Sequence, residues 1–277
     1  MATVAQCLQA GRQLLGDEQA IEVRVLLSHC LKRPHSYLYA WPEAELSDAQ
    51  LQQFERLLAA RKRGEPVAYL TGEREFWSLP LKVNSATLIP RADTELLVST
   101  ALALCTPERA SVLDLGTGSG AVALALASER PGWQVLALDN SAAALAVAKE
   151  NSEALGLANV RCELSDWYQA VPGQQFDLIL SNPPYIDPDD KHLSRGDLRF
   201  EPRSALVADD KGLADIRSII GAAPEFLRPG GHLLLEHGYT QGEAVRALLR
   251  SHGFSRVQSY RDLAGHERVS GGCLVAD

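Results

Sequence analysis

From Ser111 onward the chain alternates short apolar runs with longer helical periods, and this alternation limits its possible folds more than any other feature. Ser111-Val112-Leu113-Asp114-Leu115 reads as a strand, Ala121 to Glu129 as a helix, Gln134 to Leu138 as a strand and Ser141 to Leu155 as a helix. Val160 to Leu164, Phe176 to Leu180 and His232 to Glu236 continue the strands, with a helix from about Leu213 to Leu227 and a last helix and terminal strands after Glu236. Strands joined by helical crossovers run parallel, and a parallel sheet is covered on both faces. The expected fold is α/β, with any ligand at the carboxyl ends of the strands.

The chain ahead of Ser111 follows other periods. From Gln6 to about Arg63 apolar residues recur at three and four, as helices require, and Ser47 supplies a cap before Leu51, Phe54, Leu57 and Leu58. Arg61-Lys62-Arg63-Gly64 ends that run with cations and a glycine stop. A solvated helix end is the favoured reading of the basic run, ahead of a substrate contact. Phe76 to Val83 reads as strand, turn and strand, and Asp93-Thr94-Glu95 opens another helix. These readings divide the chain into a small helical domain over residues 1–72, a hairpin linker over 73–92 and an α/β domain over 93–277. Arg91, just ahead of the last, faces either a neighbouring site or a surface acid.

Composition narrows the function classes. At 46% hydrophobic and 22% charged, the 277 residues suit a folded globular chain and argue against disorder. No apolar stretch approaches a bilayer span, and the first residues lack a basic region and long apolar core, so a cytoplasmic protein without membrane partners is expected. Five cysteines form no C-x-x-C pair, and seven histidines show no H-E-x-x-H spacing; neither a disulfide framework nor a metal site is expected. A net charge of −8 disfavours a broad phosphate-binding surface and stable nucleic acid binding.

Chemistry concentrates at the ends of the predicted strands. Gly116-Thr117-Gly118-Ser119-Gly120 lies between a strand and its helix, where glycines let the backbone turn tightly and approach a ligand. Its spacing fits neither G-x-G-x-x-G nor a phosphate loop ending in lysine, and Ser119 lacks the glycine that a nucleophile elbow needs at position 117. Asp139, at the end of the next strand, suits two ribose hydroxyls; as an N-cap it would serve the following helix, and the two roles are compatible. Asp166-Trp167 offers a carboxylate and an aromatic face suited to adenine, or a half-buried tryptophan covering the core. Glu236-His237 reads as structural.

Asn182-Pro183-Pro184-Tyr185 stops the run Phe176 to Ser181 abruptly. The first proline biases Asn182 toward an extended conformation at the rim of the sheet. An amide oxygen, a proline carbonyl and a tyrosine ring together suit a planar NH2 group.

Val112 to Gly120, Asp139 and Asn182 to Tyr185 together resemble the Rossmann-like S-adenosylmethionine methyltransferases that modify planar nitrogens. Arg74-Glu75-Phe76-Trp77, Leu88 to Glu95 and Phe200 to Leu206 are similar to the release factor glutamine methyltransferases, over nearly the whole chain. The resemblance implies a Rossmann-like sheet with a small N-terminal helical domain and a β-hairpin linker. It implies methyl transfer from S-adenosylmethionine to the side-chain amide of the glutamine in the Gly-Gly-Gln motif of peptide chain release factors, modulating translation termination.

By that resemblance Gly116, Thr117, Gly118, Ser119, Gly120, Asp139, Trp167 and Asn182 hold the cofactor. Asn182, Pro183 and Tyr185 serve catalysis, and Pro184 and Arg91 join them in binding substrate, with the N-terminal helices gripping the release factor body. An N6-adenine methyltransferase of DNA or rRNA, or a ribosomal protein glutamine methyltransferase, is the alternative. The segment from Ile186 to Gly212 reads either as an ordered lid or as one that orders with substrate.

Overall fold

Two helices of the N-terminal segment begin where the sequence caps them. Thr3 opens α1 (Val4–Leu15): its hydroxyl accepts from the Gln6 amide while Gln6 Oε1 accepts from the Thr3 amide at 2.9 Å. After α2 (Ala20–Leu31) and α3 (His35–Ala40), Ser47 and Gln50 repeat the device ahead of α4 (Asp48–Lys62). Such caps are each worth about 1 kcal/mol. A short α5 (Val67–Thr71) follows. The computed structural model describes residues 2–275 of the chain.

Packing divides the chain into two units, Met1–Glu73 with Ser194–Phe200, and Arg74–Leu193 with Glu201–Asp277. The first is built on Val4, Val23, Leu26, Leu27, Phe54 and Leu58. A Cβ at Gly11 would lie 2.4 Å from Val23 Cγ1, so α1 and α2 meet at a spacing that only glycine allows. Arg61 departs from the expected solvated helix end. Its guanidinium pairs with both oxygens of Glu22 at 2.7 and 2.9 Å and with Asp197 at 3.0 Å, and its side chain is 13% exposed. Lys62 and Arg63 do face solvent. Residues 194–200 thus pack with the helices, and Arg199 adds a hydrogen bond to the Arg63 carbonyl at 2.7 Å.

The second unit starts with a hairpin of β1 (Glu73–Phe76) and β2 (Leu79–Lys82), so most of the 73–92 segment packs with the sheet. Its turn residues Trp77 and Ser78 both take left-handed backbone (φ 52° and 59°), as tight two-residue hairpins require. The Trp77 amide donates to Glu95 Oε1 at 2.9 Å and its indole to Glu129 at 2.8 Å. Then come α6 (Glu95–Leu104), β3 (Ser111–Leu115), α7 (Ala121–Glu129), β4 (Gln134–Asp139), α8 (Ala142–Leu155), β5 (Val160–Leu164) and β6 (Phe176–Ser181). The chain closes with α9 (Ala214–Phe226), β7 (Leu227–Glu236), α10 (Gly242–Ser251), β8 (Phe254–Arg261) and β9 (Glu267–Leu274).

The sheet runs β5-β4-β3-β6-β7-β9-β8. Its first five strands are parallel; β9 lies antiparallel to β7 and β8 antiparallel to β9. Alternate side chains go to opposite faces: Val112, Leu178, Leu180 and Leu234 pack with α7, and Leu113, Ile179, Leu233 and Leu235 with Ile216 and Ile219 of α9. From β3 the chain moves one way to β4 and β5, then returns to β6 on the other side. The order therefore reverses between β3 and β6, where open α/β sheets leave a crevice. No helix among the described residues is long and apolar enough to cross a membrane.

Candidate active site at the switch point

Gly116, Gly118 and Gly120 follow β3 with φ of 72°, 57° and 87°, a run of left-handed backbone that side chains would strain. The Gly116 and Thr117 amides donate to the Leu138 carbonyl at 2.8 and 2.9 Å, folding the loop onto β4. Gly120 precedes α7, and a Cβ there would come within 2.9 Å of Leu124 and 3.3 Å of Ala148. Its need is packing. Thr117 and Ser119 are buried: the Thr117 hydroxyl donates to Asp114 at 2.6 Å, and the Ser119 carbonyl accepts from Asn151 at 2.9 Å. Asn151 also holds the backbone of Lys82, so it ties the hairpin to the loop.

Asp139 closes β4 beside this loop. One carboxylate oxygen accepts from the Gly118 amide and the other from the Ser141 amide, each at 2.8 Å. The cap of α8 is Ser141, whose hydroxyl accepts from Ala144. Each carboxylate oxygen retains a second lone pair, and Asp139 lines a recess of about 190 Å³. Gly116, Gly118, Trp167, Asn182 and Pro184 line it too. The Trp167 ring lies against Gly116, where a Cβ would meet Cζ3 at 3.6 Å. Its backbone is left-handed (φ 45°), and its carbonyl accepts from Ser165 Oγ at 2.7 Å. Exposed Asp166 accepts from Gln169 at the rim.

Opposite stands the Asn-Pro-Pro-Tyr turn. Leu115 and Ser181 are partners in the parallel pair, so Gly116 and Asn182 leave the sheet side by side. Asn182 Nδ2 donates to Thr94 Oγ1 at 3.2 Å, which turns Oδ1 away from Thr94. A second, smaller recess runs between Leu88, Thr94, Asp114, Gly118 and Asn182. The Tyr185 hydroxyl donates to Glu236 Oε1 at 3.2 Å, and burial raises its pKa. Gln241 Nε2 donates to the Tyr185 carbonyl at 3.0 Å, and Gly212 passes so close that a Cβ would fall 2.0 Å from that oxygen. Ile186 forms a bridge with Val207, closing the base of the following loop.

Arg91 lies outside both recesses; its guanidinium pairs with the carboxylate of Glu201, whose other oxygen accepts from the Ile89 amide at 2.9 Å. Of the two partners left open by the sequence, an acid is the one present, though a buried one: the Glu201 side chain is 0% exposed. Gly120, Pro183 and Tyr185 line neither recess. Sequence reasoning missed Thr94, Glu201, Gln241 and the placing of Glu236. The signal for Glu236 is strand order: Ser181 pairs with Leu235, so the next residues, Asn182 and Glu236, become neighbours.

Two buried carboxyls carry the electrostatics. Burial pushes Asp114 up to about 7, against the Thr117 hydroxyl that favours its charge. It likewise pushes Glu236 up to about 7, opposed by the hydroxyls of Thr94 and Tyr185 and by Arg268. His237 turns elsewhere: Nδ1 donates to the Gly238 carbonyl at 2.9 Å, Nε2 accepts from Ser270 at 2.7 Å, and burial lowers its pKa. Backbone amides, a carboxylate and an aromatic ring on one side of the recess fit a nucleoside with an anionic or zwitterionic tail. An amide oxygen on the other side fits a planar N–H donor.

Comparison with known proteins bears on both halves. The methyltransferase small domain profile matches residues 85–197, and the PrmC N-terminal domain profile matches residues 6–72. The release factor glutamine methyltransferase of Salmonella typhimurium is 55% identical over 256 residues, covering 92% of each chain. Among solved structures, a methyltransferase from Pyrococcus furiosus shares the fold with a TM-score of 0.55 at 18% identity, over 80% of this chain and 100% of its own. A 16S rRNA N2 methyltransferase of T. thermophilus, solved with AdoMet and guanosine, gives a TM-score of 0.52 at 24% identity, over 73% of this chain and 49% of its own.

Proposed function

The chain belongs to the release factor glutamine methyltransferases, and on that premise we propose that it transfers a methyl group from S-adenosylmethionine to the side-chain amide nitrogen of the Gly-Gly-Gln glutamine in peptide chain release factors, in the cytoplasm. The observation that carries this reading is the orientation of Asn182. Its amide nitrogen is committed to Thr94, and Asn182 lines the recess together with Asp139 and the glycine loop.

The sulfonium supplies a methyl already activated for transfer. Gly116, Gly118, Asp139 and Trp167 would hold the cofactor, Asp139 through the lone pairs that Gly118 and Ser141 leave free. The chain's remaining task is orientation, which can supply a large part of a rate enhancement. A glutamine amide is a poor nucleophile because its lone pair is delocalised. Accepting its N–H groups at Asn182 Oδ1 and the Pro183 carbonyl would aim that lone pair and favour pyramidalisation. The Tyr185 ring and Pro184 would cover the amide plane. Arg91, bound to Glu201, would act on substrate by holding the 88–95 segment rather than by reaching into the recess. No side chain needs to take the proton before transfer.

The helical unit would recognise the body of the release factor. The test is incubation with labelled S-adenosylmethionine and separately purified release factors, DNA and ribosomes. Label on a release factor, lost when its Gly-Gly-Gln glutamine is changed, is the expected result. Label in nucleic acid or ribosomal protein alone would overturn the reading.

A further inference from the structure

Two segments far apart in sequence share one wall of the recess. Ala86, Thr87 and Leu88 line it, and so do Pro202, Ser204 and Ala205. Neither segment belongs to a sheet, so no strand ladder holds one against the other. Glu201 joins them. One of its carboxylate oxygens accepts from the Ile89 amide at 2.9 Å and the other from the guanidinium of Arg91, 110 residues earlier in the chain. The Glu201 side chain is fully buried, and a carboxylate in such a place is costly unless its oxygens are bonded, as both are here. An apolar side chain would fill the same space at less cost. What it could not do is accept from an amide and a cation of one segment while its own backbone leads into the other.

We propose that Glu201 is a positioning residue for the cofactor: with Arg91 it latches residues 86–91 to residues 201–205, and the wall they form keeps S-adenosylmethionine in the recess. The inference rests on reading that recess as the cofactor site. Neither Glu201 nor Arg91 lines the recess, so both act through the residues beside them. A joined wall opens less often, and the ligand leaves when the wall opens. The latch therefore governs departure more than arrival.

Binding of S-adenosylhomocysteine to the full chain, with no release factor present, separates this role from contact with the substrate. Calorimetry gives Kd, and chase of the labelled ligand gives the dissociation rate. Glu201→Gln and Arg91→Met should each raise both by roughly tenfold, with the association rate within about twofold of wild type. Arg91 meets its carboxylate through one guanidinium nitrogen, a contact that a lysine can also make. Arg91→Lys should thus stay within about threefold of wild type. The double variant should lose no more than the worse single one, since both changes open the same joint. Arg246→Met, which breaks a comparably sheltered pair with Glu267 outside both recesses, should leave Kd and the dissociation rate unchanged.

Wild-type dissociation from folded Glu201→Gln and Arg91→Met proteins would overturn the proposal. So would a loss of affinity carried by slower association, or an equal loss in Arg246→Met. Should Glu201→Gln fail to fold, the contrast between Arg91→Met and Arg91→Lys decides, at a side chain that is 35% exposed. A wild type that binds no S-adenosylhomocysteine defeats the reading of the recess and the latch with it. Wild-type binding that the variants leave unchanged defeats the latch alone.

Discussion

Asp139 and Gly118 are joined by a 2.8 Å hydrogen bond from the glycine amide to the carboxylate, so the end of β4 braces the glycine loop before any ligand arrives. The loop does not hold its left-handed turns alone. Asp139 is at once a brace and a candidate ligand, and the two roles share one side chain.

Asp139→Ala should therefore weaken cofactor binding beyond the loss of a single contact. A hydrogen bond to a charged group is worth about 1.5–3 kcal/mol, so roughly a tenfold to hundredfold rise in Kd is expected. Titration calorimetry with S-adenosylhomocysteine measures it. An unchanged Kd would remove Asp139 from the binding site.

Asn182→Ala separates orientation from cofactor binding. With Oδ1 gone, kcat for release factor methylation should fall by one or more orders of magnitude while cofactor Kd changes little. Equal losses in both would mean that Asn182 serves the cofactor instead.

The buried carboxyls of Asp114 and Glu236 give the second unit a definite pH dependence. Both have folded-state pKa values raised to about 7 by burial. Their contribution to stability is complete below the unfolded-state values near 4 and is lost as pH rises through about 7. Denaturant unfolding should thus give greater resistance at pH 5.5 than at pH 8, by about a kcal/mol or more. Asp114→Asn should reduce the slope, and a slope of opposite sign would show that these carboxyls do not dominate.

Arg61 holds two acids of the helical unit, Glu22 and Asp197. Arg61→Met should cost on the order of 1–3 kcal/mol, less than a fully buried pair because the acids are partly exposed. Hydrogen exchange should quicken in residues 194–200. Protection there equal to wild type would show that the segment is held by other contacts.

Gly212→Ala tests the backbone beneath Tyr185. The added Cβ would collide with the Tyr185 carbonyl at 2.0 Å, at a residue whose φ is 80°. Strain and clash together should lower stability by about 1–3 kcal/mol and reduce kcat by shifting the turn. Wild-type kcat and Tm would show that the turn is held elsewhere.

The sequence carried much of this architecture because its signals are local. Leu113 and Leu115 in an apolar run, the strand, turn and strand around Phe76 to Val83 and the cap at Ser47 depend on near neighbours, whereas the cap of α8 is Ser141 and not Asp139, which the sequence offered for that role. Strand order is not local, and that is why Glu236 read as merely structural until β6 and β7 lay side by side. Arg61 failed for a similar reason. Nothing in Arg61-Lys62-Arg63 distinguishes the cation that finds Glu22 and Asp197 from the two that face water.

The chain enters the helical unit twice, first as Met1–Glu73 and again as Ser194–Phe200. A cut between Glu73 and Arg74 divides that unit into two fragments instead of freeing it whole, with the Arg61–Asp197 pair among the contacts left to hold them. The helices expressed alone would lack one of their own pieces. Complementation by a peptide spanning 194–200 is the natural assay of how much that piece contributes.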